Sequence, residues 1–149
     1  MYRYILVPTD GSPLSERAVK EAAMLAESAH AKLLVFHVIP PHRVPTYQEG
    51  VGARAMDYDT ALLAAQKDSE AWIILAAAAD ASNLPGVMVE KRCVVNSSPY
   101  EAILDVAEKH GCDLIVMASH GRRGMSGLRL GSETQKVLTH TKLPVLVVH

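Results

Sequence analysis

The chain has 149 residues, a formal net charge of −1, 49% hydrophobic residues and only 5% aromatic ones. That length suits one domain with a sizeable core, and the near-neutral balance excludes a global basic field drawing the protein to nucleic acid or an anionic membrane. With so few rings, the core has to come from Ala, Val, Leu and Ile, which suits helices packed on a β-sheet.

The first apolar run, Tyr4-Ile5-Leu6-Val7, ends in Pro8-Thr9-Asp10-Gly11 and reads as a buried strand followed by a turn. Beginning so close to Met1, it leaves no room for a signal peptide, and no apolar run in the chain approaches the length of a membrane span. Ser12-Pro13 then starts a helix, with Ser as N-cap and Pro at the first helical position. Leu14, Ala18, Ala22, Leu25 and Ala29 give that helix one apolar face. Lys32 to Ile39 is a second strand. Its unbroken Leu33-Leu34-Val35-Phe36 predicts cover on both faces, as in a parallel sheet.

Pro40 to Gly52 holds three prolines and two glycines and reads as a loop. It is long for a compact domain, a length found in loops that move or close over a ligand. From about Ala53 to Ser82 the chain is Ala-rich and helical, with Tyr58, Leu62, Ala65, Ser69, Trp72 and Ala76 lining one face, and Leu84-Pro85-Gly86 ends it. Val87 to Val95 is a third strand. Glu90, Lys91 and Arg92 interrupt it, which predicts an edge position. Ser98-Pro99-Tyr100-Glu101 reads as a helix start with a Ser/Glu capping box, followed by a buried face of Ala102, Ile103, Val106 and Ala107. Asp113 to Met117 is the fourth strand and Pro144 to Val148 the fifth. The two cysteines, Cys93 and Cys112, fall in or beside strands, where a thiol is usually a small buried hydrophobe. Their spacing fits neither a zinc site nor a disulfide framework. A soluble, cytoplasmic setting is the expectation.

Strands alternating with helices predict a single-domain, doubly wound α/β fold with a parallel sheet and right-handed crossovers. Placing the polar third strand at an edge gives the order 3-2-1-4-5. Strands one and four then lie side by side where the winding reverses, and ligands of such sheets bind beyond the strand ends at that reversal. Pro8-Thr9-Asp10 and Ala118-Ser119-His120-Gly121 converge there.

The chemistry concentrates in Ala118 to Thr134, which holds three glycines before the final helix (Gly121, Gly124, Gly127), three arginines (Arg122, Arg123, Arg129) and a Gly131-Ser132 pair. Amide N–H groups at a helix start carry partial positive charge and suit a phosphate. Ser132 either offers its hydroxyl to a phosphate oxygen or caps the helix with Gln135 as partner. The pattern is neither a Walker A loop nor Gly-x-Gly-x-x-Gly. Asp10 either accepts from a ribose hydroxyl or the adenine edge, or helps hold a metal, or caps the turn that follows it. His120 either touches a phosphate, acts as a base, or is merely exposed. The other histidines lack metal-ligand spacing, and no nucleophile elbow, His-Glu-x-x-His or paired-carboxylate pattern is present. The arginines have no RNP-like aromatic motif beside them, which argues against RNA.

The segments ILVPTDGS, FHVI, SSPYEAILDVAEKHGCDLIVMASHGRRG and LGSETQKVLTHTKLPVLVV together resemble the universal stress protein family, across essentially the whole chain. The resemblance implies an adenine nucleotide alpha hydrolase-like fold over residues 1–149. Nucleotide-binding members carry Gly-x2-Gly-x9-Gly followed by Ser or Thr. Gly121, Gly131 and Ser132 match its later positions, while Ala118 stands at the first and adds a methyl group where the backbone approaches the ribose. The implied ATP site has Pro8, Thr9, Asp10 and Val38 around adenine and ribose. Ala118, Ser119, His120, Gly121, Arg122, Arg123 and Gly124 cover the ribose and phosphates, and Gly131, Ser132, Glu133 and Thr134 stand at the helix start. Glu133 is out of place beside phosphates unless Mg²⁺ or the arginines offset it. The family resemblance further implies a homodimer through the last strand, residues 144–148, whose apolar edge would otherwise be bare. The function so implied is ATP binding in a stress response, signalled by nucleotide occupancy with little turnover. Two alternatives stand beside it: a protein that binds no nucleotide and works through protein partners, which Ala118 favours, and slow ATP hydrolysis or phosphotransfer.

Overall fold

The computed structural model describes residues 1–41, 53–121 and 130–149, with the backbone alone over 53–61. Its elements are β1 (Tyr4–Pro8), α1 (Pro13–Ala29), β2 (Lys32–Ile39), α2 (Ala53–Ala81), β3 (Val89–Val95), α3 (Pro99–His110), β4 (Leu114–Ala118), α4 (Ser132–His140) and β5 (Val145–Val148). The sheet order is β3-β2-β1-β4-β5 and every pair is parallel, so the strand order expected from the polar third strand is the one observed. β1 and β2 pair from Tyr4↔Lys32 to Pro8↔Phe36. β1 and β4 pair only over Ile5↔Leu114 and Leu6↔Ile115. Past Leu6 the two central strands part, which opens the sheet at its carboxyl edge.

Strand periodicity sorts the unbroken apolar runs into two layers. Ile5, Val7, Leu33, Val35, Leu114 and Val116 pack under α1 and α2. Leu6, Leu34, Phe36, Ile115 and Met117 face α3 and α4 on the other side.

Two helix faces differ from the sequence-based expectation. α1 buries Ser15, Ala18, Val19, Ala22, Ala23 and Ala26, while Leu14, Leu25 and Ala29 lie half-buried at its margins. The small side chains sit on the sheet and the leucines flank the contact. In α2 the expected face is the wet one. Leu62 and Trp72 are 50% and 51% exposed, and Ala65, Ser69 and Ala76 are exposed with them. Ala71, Leu75 and Ala78 face the sheet instead. Apolar residues occur on nearly every side of the helix, so its hydrophobic pattern defines no single stripe, and packing against the sheet selects the face of Ala71, Leu75 and Ala78. The side chain of Tyr58 lies outside the described residues, as does the loop from residue 42 to residue 52.

The capping box expected at α3 is absent, and so is the one that stood as the alternative role of Ser132 in α4. Ser98 is the N-cap of α3 but makes no side-chain cap bond. Its own N–H donates to Asn96 Oδ1 at 2.8 Å, and Glu101 accepts from the Tyr100 hydroxyl at 3.0 Å instead of reaching back. In α4 the N-cap is Gly131, with Ser132 already the first helical residue. Gln135 donates to the carbonyl of Leu130 at 2.9 Å. At α1 the expectation holds: Ser12 caps the helix and accepts from the Ser15 N–H at 3.3 Å.

Both cysteines are free thiols, Cys112 buried and Cys93 half-buried. Burial, with Asp113 and Glu90 nearby, pushes the Cys112 thiol up to about 11. Burial and Asp68 also push Cys93 upward. A raised value keeps the thiol protonated at neutral pH, so neither is an activated nucleophile.

Candidate functional site

Where β1 and β4 part, a cleft of about 230 Å³ opens. Its walls come from the carboxyl ends of β1 (Pro8, Thr9, Asp10), β2 (Phe36, His37, Val38) and β4 (Met117, Ala118, His120, Gly121). The N-terminal parts of three helices complete it, through Ser15, Pro99 with Ile103, and Glu133 with Thr134. Segments distant in sequence thus meet at the reversal of strand order, as the topology requires.

The β1 side is fixed by its own hydrogen bonds. The Thr9 N–H donates to the carbonyl of Phe36 at 2.8 Å and prolongs the β1–β2 ladder. The Ser15 hydroxyl donates to the carbonyl of Ser12 at 2.9 Å, so at the 3.0 Å contact between the two hydroxyls the proton belongs to Thr9. Thr9 Oγ1 also accepts from the Gly11 N–H at 3.2 Å. The Thr9 side chain is therefore committed to the α1 junction. Asp10 Oδ1 accepts from the Ser12 N–H at 2.9 Å. Capping the turn and lining the cleft are compatible roles, and Asp10 holds both positions.

The β4 side is locked to α4 by backbone contact. The Gly131 N–H donates to the carbonyl of Ser119 at 2.7 Å, and the Ser119 N–H donates to that of Val148 at 2.8 Å. Thr134 Oγ1 donates to the carbonyl of Ala118 at 3.0 Å. A Cβ on Gly131 would meet His120 Cα at 3.1 Å and Ser119 O at 3.2 Å, so the glycine lets two backbones touch. The two sides meet at Gly121, where a Cβ would run into Asp10 Oδ2.

Of the residues singled out from sequence, Pro8, Thr9, Asp10, Val38, Ala118, His120, Gly121, Glu133 and Thr134 line the cleft. Ser119, Gly131 and Ser132 do not; Ser119 is buried behind it, its hydroxyl 3.2 Å from His120 Nδ1, and Ser132 is exposed. Arg122, Arg123 and Gly124 lie outside the described residues. The cleft also holds residues the sequence reading did not single out for the site. Phe36, Ile103 and Met117 belong to the core beneath it. Ser15 and Pro99 mark helix starts. His37 Nδ1 lies 2.8 Å from the carbonyl of Thr9, and since a carbonyl only accepts, the proton resides on Nδ1. Its only sequence signal was its place beside Val38.

Glu133 has two donors. Oε2 accepts from the Tyr100 N–H at 2.9 Å, and Oε1 accepts from Lys136 Nζ at 2.9 Å. A carboxylate from α4 thereby caps α3, which explains why Ser98 and Glu101 do not. Among the described residues no group of three or more His, Cys, Asp or Glu is placed to hold a metal ion, and no helix is long and apolar enough to cross a membrane.

Comparison with known proteins places this geometry. The sequence profile of the universal stress protein family matches residues 1–149. A universal stress protein of Thermus aquaticus is 35% identical over 148 residues, covering 99% of each chain. One of Mycobacterium tuberculosis is 32% identical over 151 residues, covering 99% of this chain and 97% of the relative. Among solved structures, a universal stress protein in complex with cAMP superposes with a TM-score of 0.71 at 30% identity, over 99% of this chain and 97% of that one. A protein of Methanocaldococcus jannaschii superposes with a TM-score of 0.74 at 29% identity, over 99% and 96%.

Proposed function

The chain belongs to the universal stress protein family, and from that premise we propose that it binds an adenine nucleotide in the cleft between the ends of β1 and β4. The observation that carries the reading is the meeting of Asp10 with Gly121 across a cleft that the first turn of α4 also lines. That is a place where a carboxylate for sugar hydroxyls and amide groups for phosphates lie within one ligand's length. The similar protein solved with cAMP supports an adenine ligand.

In this reading Pro8, Asp10 and Val38 surround the base and the ribose, with His37 beside them. The ribose and phosphates run along Ala118, His120 and Gly121 towards Thr134 and the start of α4. Arg122, Arg123 and Gly124, next in sequence, serve the phosphates. ATP, with Mg²⁺ sharing its charge, is the ligand of this reading, and occupancy rather than turnover is the signal in a stress response. Isothermal titration of the purified protein with Mg-ATP is expected to give a dissociation constant in the micromolar range. No heat at high protein concentration, with AMP and cAMP equally silent, would leave the protein-partner reading in its place.

The proposal extends to a homodimer through β5. The strand is a sheet edge, Leu146 on it is 43% exposed, and Leu138 on α4 is exposed too. An apolar, unpaired edge is a template for a second copy of itself across a two-fold axis. Sedimentation equilibrium is expected to report a dimer that Leu146→Lys converts to monomer. A wild-type monomer at every concentration would remove this part.

A further inference from the structure

Glu133 stands where the cleft meets the α3–α4 junction. Its carboxylate is held from two sides, by the Tyr100 N–H on α3 and the Lys136 ammonium on α4. Lys136 also lies over the Tyr100 ring, 5.6 Å from its centroid, and that ring packs beside His140 with centroids 5.0 Å apart. The hydrogen bond to Glu133 raises the Lys136 pKa, which marks a formed ion pair. The carboxylate is thus fixed in the wall of the cleft, in the first turn of the helix to which phosphates are drawn. The N-terminal end of α3, which would favour an anion, is already occupied by this side chain. Asp10 puts a second carboxylate in the wall. Among the described lining residues there is no lysine or arginine.

From this placement we infer that Glu133 is a specificity residue that filters ligands by phosphate charge, weakening the binding of metal-free nucleotides more with each added phosphate and less where Mg²⁺ shares the charge. The inference rests on the nucleotide reading above. A fixed negative charge repels a monophosphate modestly and a triphosphate more, because the Coulomb terms add. Lys136 offsets part of this repulsion. The other charges around the cleft do not enter a comparison of variants, since they stay the same.

The test compares AMP, ADP and ATP by isothermal titration without Mg²⁺, at low and high salt, on three full-length proteins. Glu133→Gln keeps an acceptor for the Tyr100 N–H and removes the charge. It is expected to tighten ATP by about five- to tenfold, ADP by less and AMP by no more than about twofold, with the spread shrinking at high salt. Lys136→Met, at an exposed position, leaves the carboxylate uncompensated and is expected to shift the series the opposite way. Equal shifts for all three nucleotides, or none in either variant, overturn the charge filter while leaving the nucleotide site intact. Absence of binding by every protein to every nucleotide overturns the site reading and the filter with it.

Discussion

Replacing Phe36 by alanine should lower the stability of the fold by about 3–5 kcal/mol, the usual cost of emptying a buried phenylalanine site. Among the described residues Phe36 is the largest fully buried side chain, on β2 beside the central strand. It packs in the layer with Ile103 and Met117, between the sheet and α3. Its partners are strand residues fixed by the ladder and a helix residue held by its own backbone bonds. Urea melts should show a lower midpoint with an unchanged slope, and the thermal midpoint should fall by about 6–20 °C. Because Phe36 also lines the cleft, the vacated volume would join the cleft floor. A loss below about 1 kcal/mol would show that water or the helix fills the space, and that the lower layer is not close-packed around this ring.

What was legible in the sequence follows from which signals are local. The β2 run from Lys32 to Ile39 is bounded as its pattern implies, because a largely apolar segment with four consecutive apolar residues, set between a helix end and a proline, has few other folds. The position of β3 at the edge was readable from Glu90, Lys91 and Arg92, since a central strand has no water for them. The contacting face of α2 was not readable. An alanine-rich helix offers several apolar stripes, and only the shape of the sheet chooses among them. The capping box expected at α3 failed for a related reason. A capping box is a contact within four residues, but Glu133 reaches Tyr100 across a gap of 33 residues, a pairing that exists only once the helices lie side by side. His37 escaped likewise, since its partner is the carbonyl of Thr9, 28 residues away. The candidate site was legible in its two strand-end segments and illegible wherever a residue's role is set by a partner on another element.

Gly121→Val should weaken nucleotide binding at least tenfold while leaving the fold nearly as stable as before. A Cβ at this position runs into Asp10 Oδ2, and valine adds two methyl groups to it. The carboxylate has little freedom to yield, since its other oxygen accepts from the Ser12 N–H at 2.9 Å in the turn that starts α1. Either Asp10 swings away from that N–H, or the end of β4 moves off β1. Both alter the cleft where the sugar is placed, and a loss of about 1.4 kcal/mol in binding is already a factor of ten. The stability cost stays small because Gly121 is exposed, beyond the last residue of β4, with no core contact to lose; a shift under about 1 kcal/mol is usual for such positions. Gly121→Ala, with one methyl group, should fall between the two proteins. Titration with Mg-ATP and a thermal melt on the same preparations separate the effects. Wild-type affinity in the valine variant would mean that the ligand does not depend on the contact between Asp10 and Gly121, and the site would have to be sought elsewhere on the sheet edge.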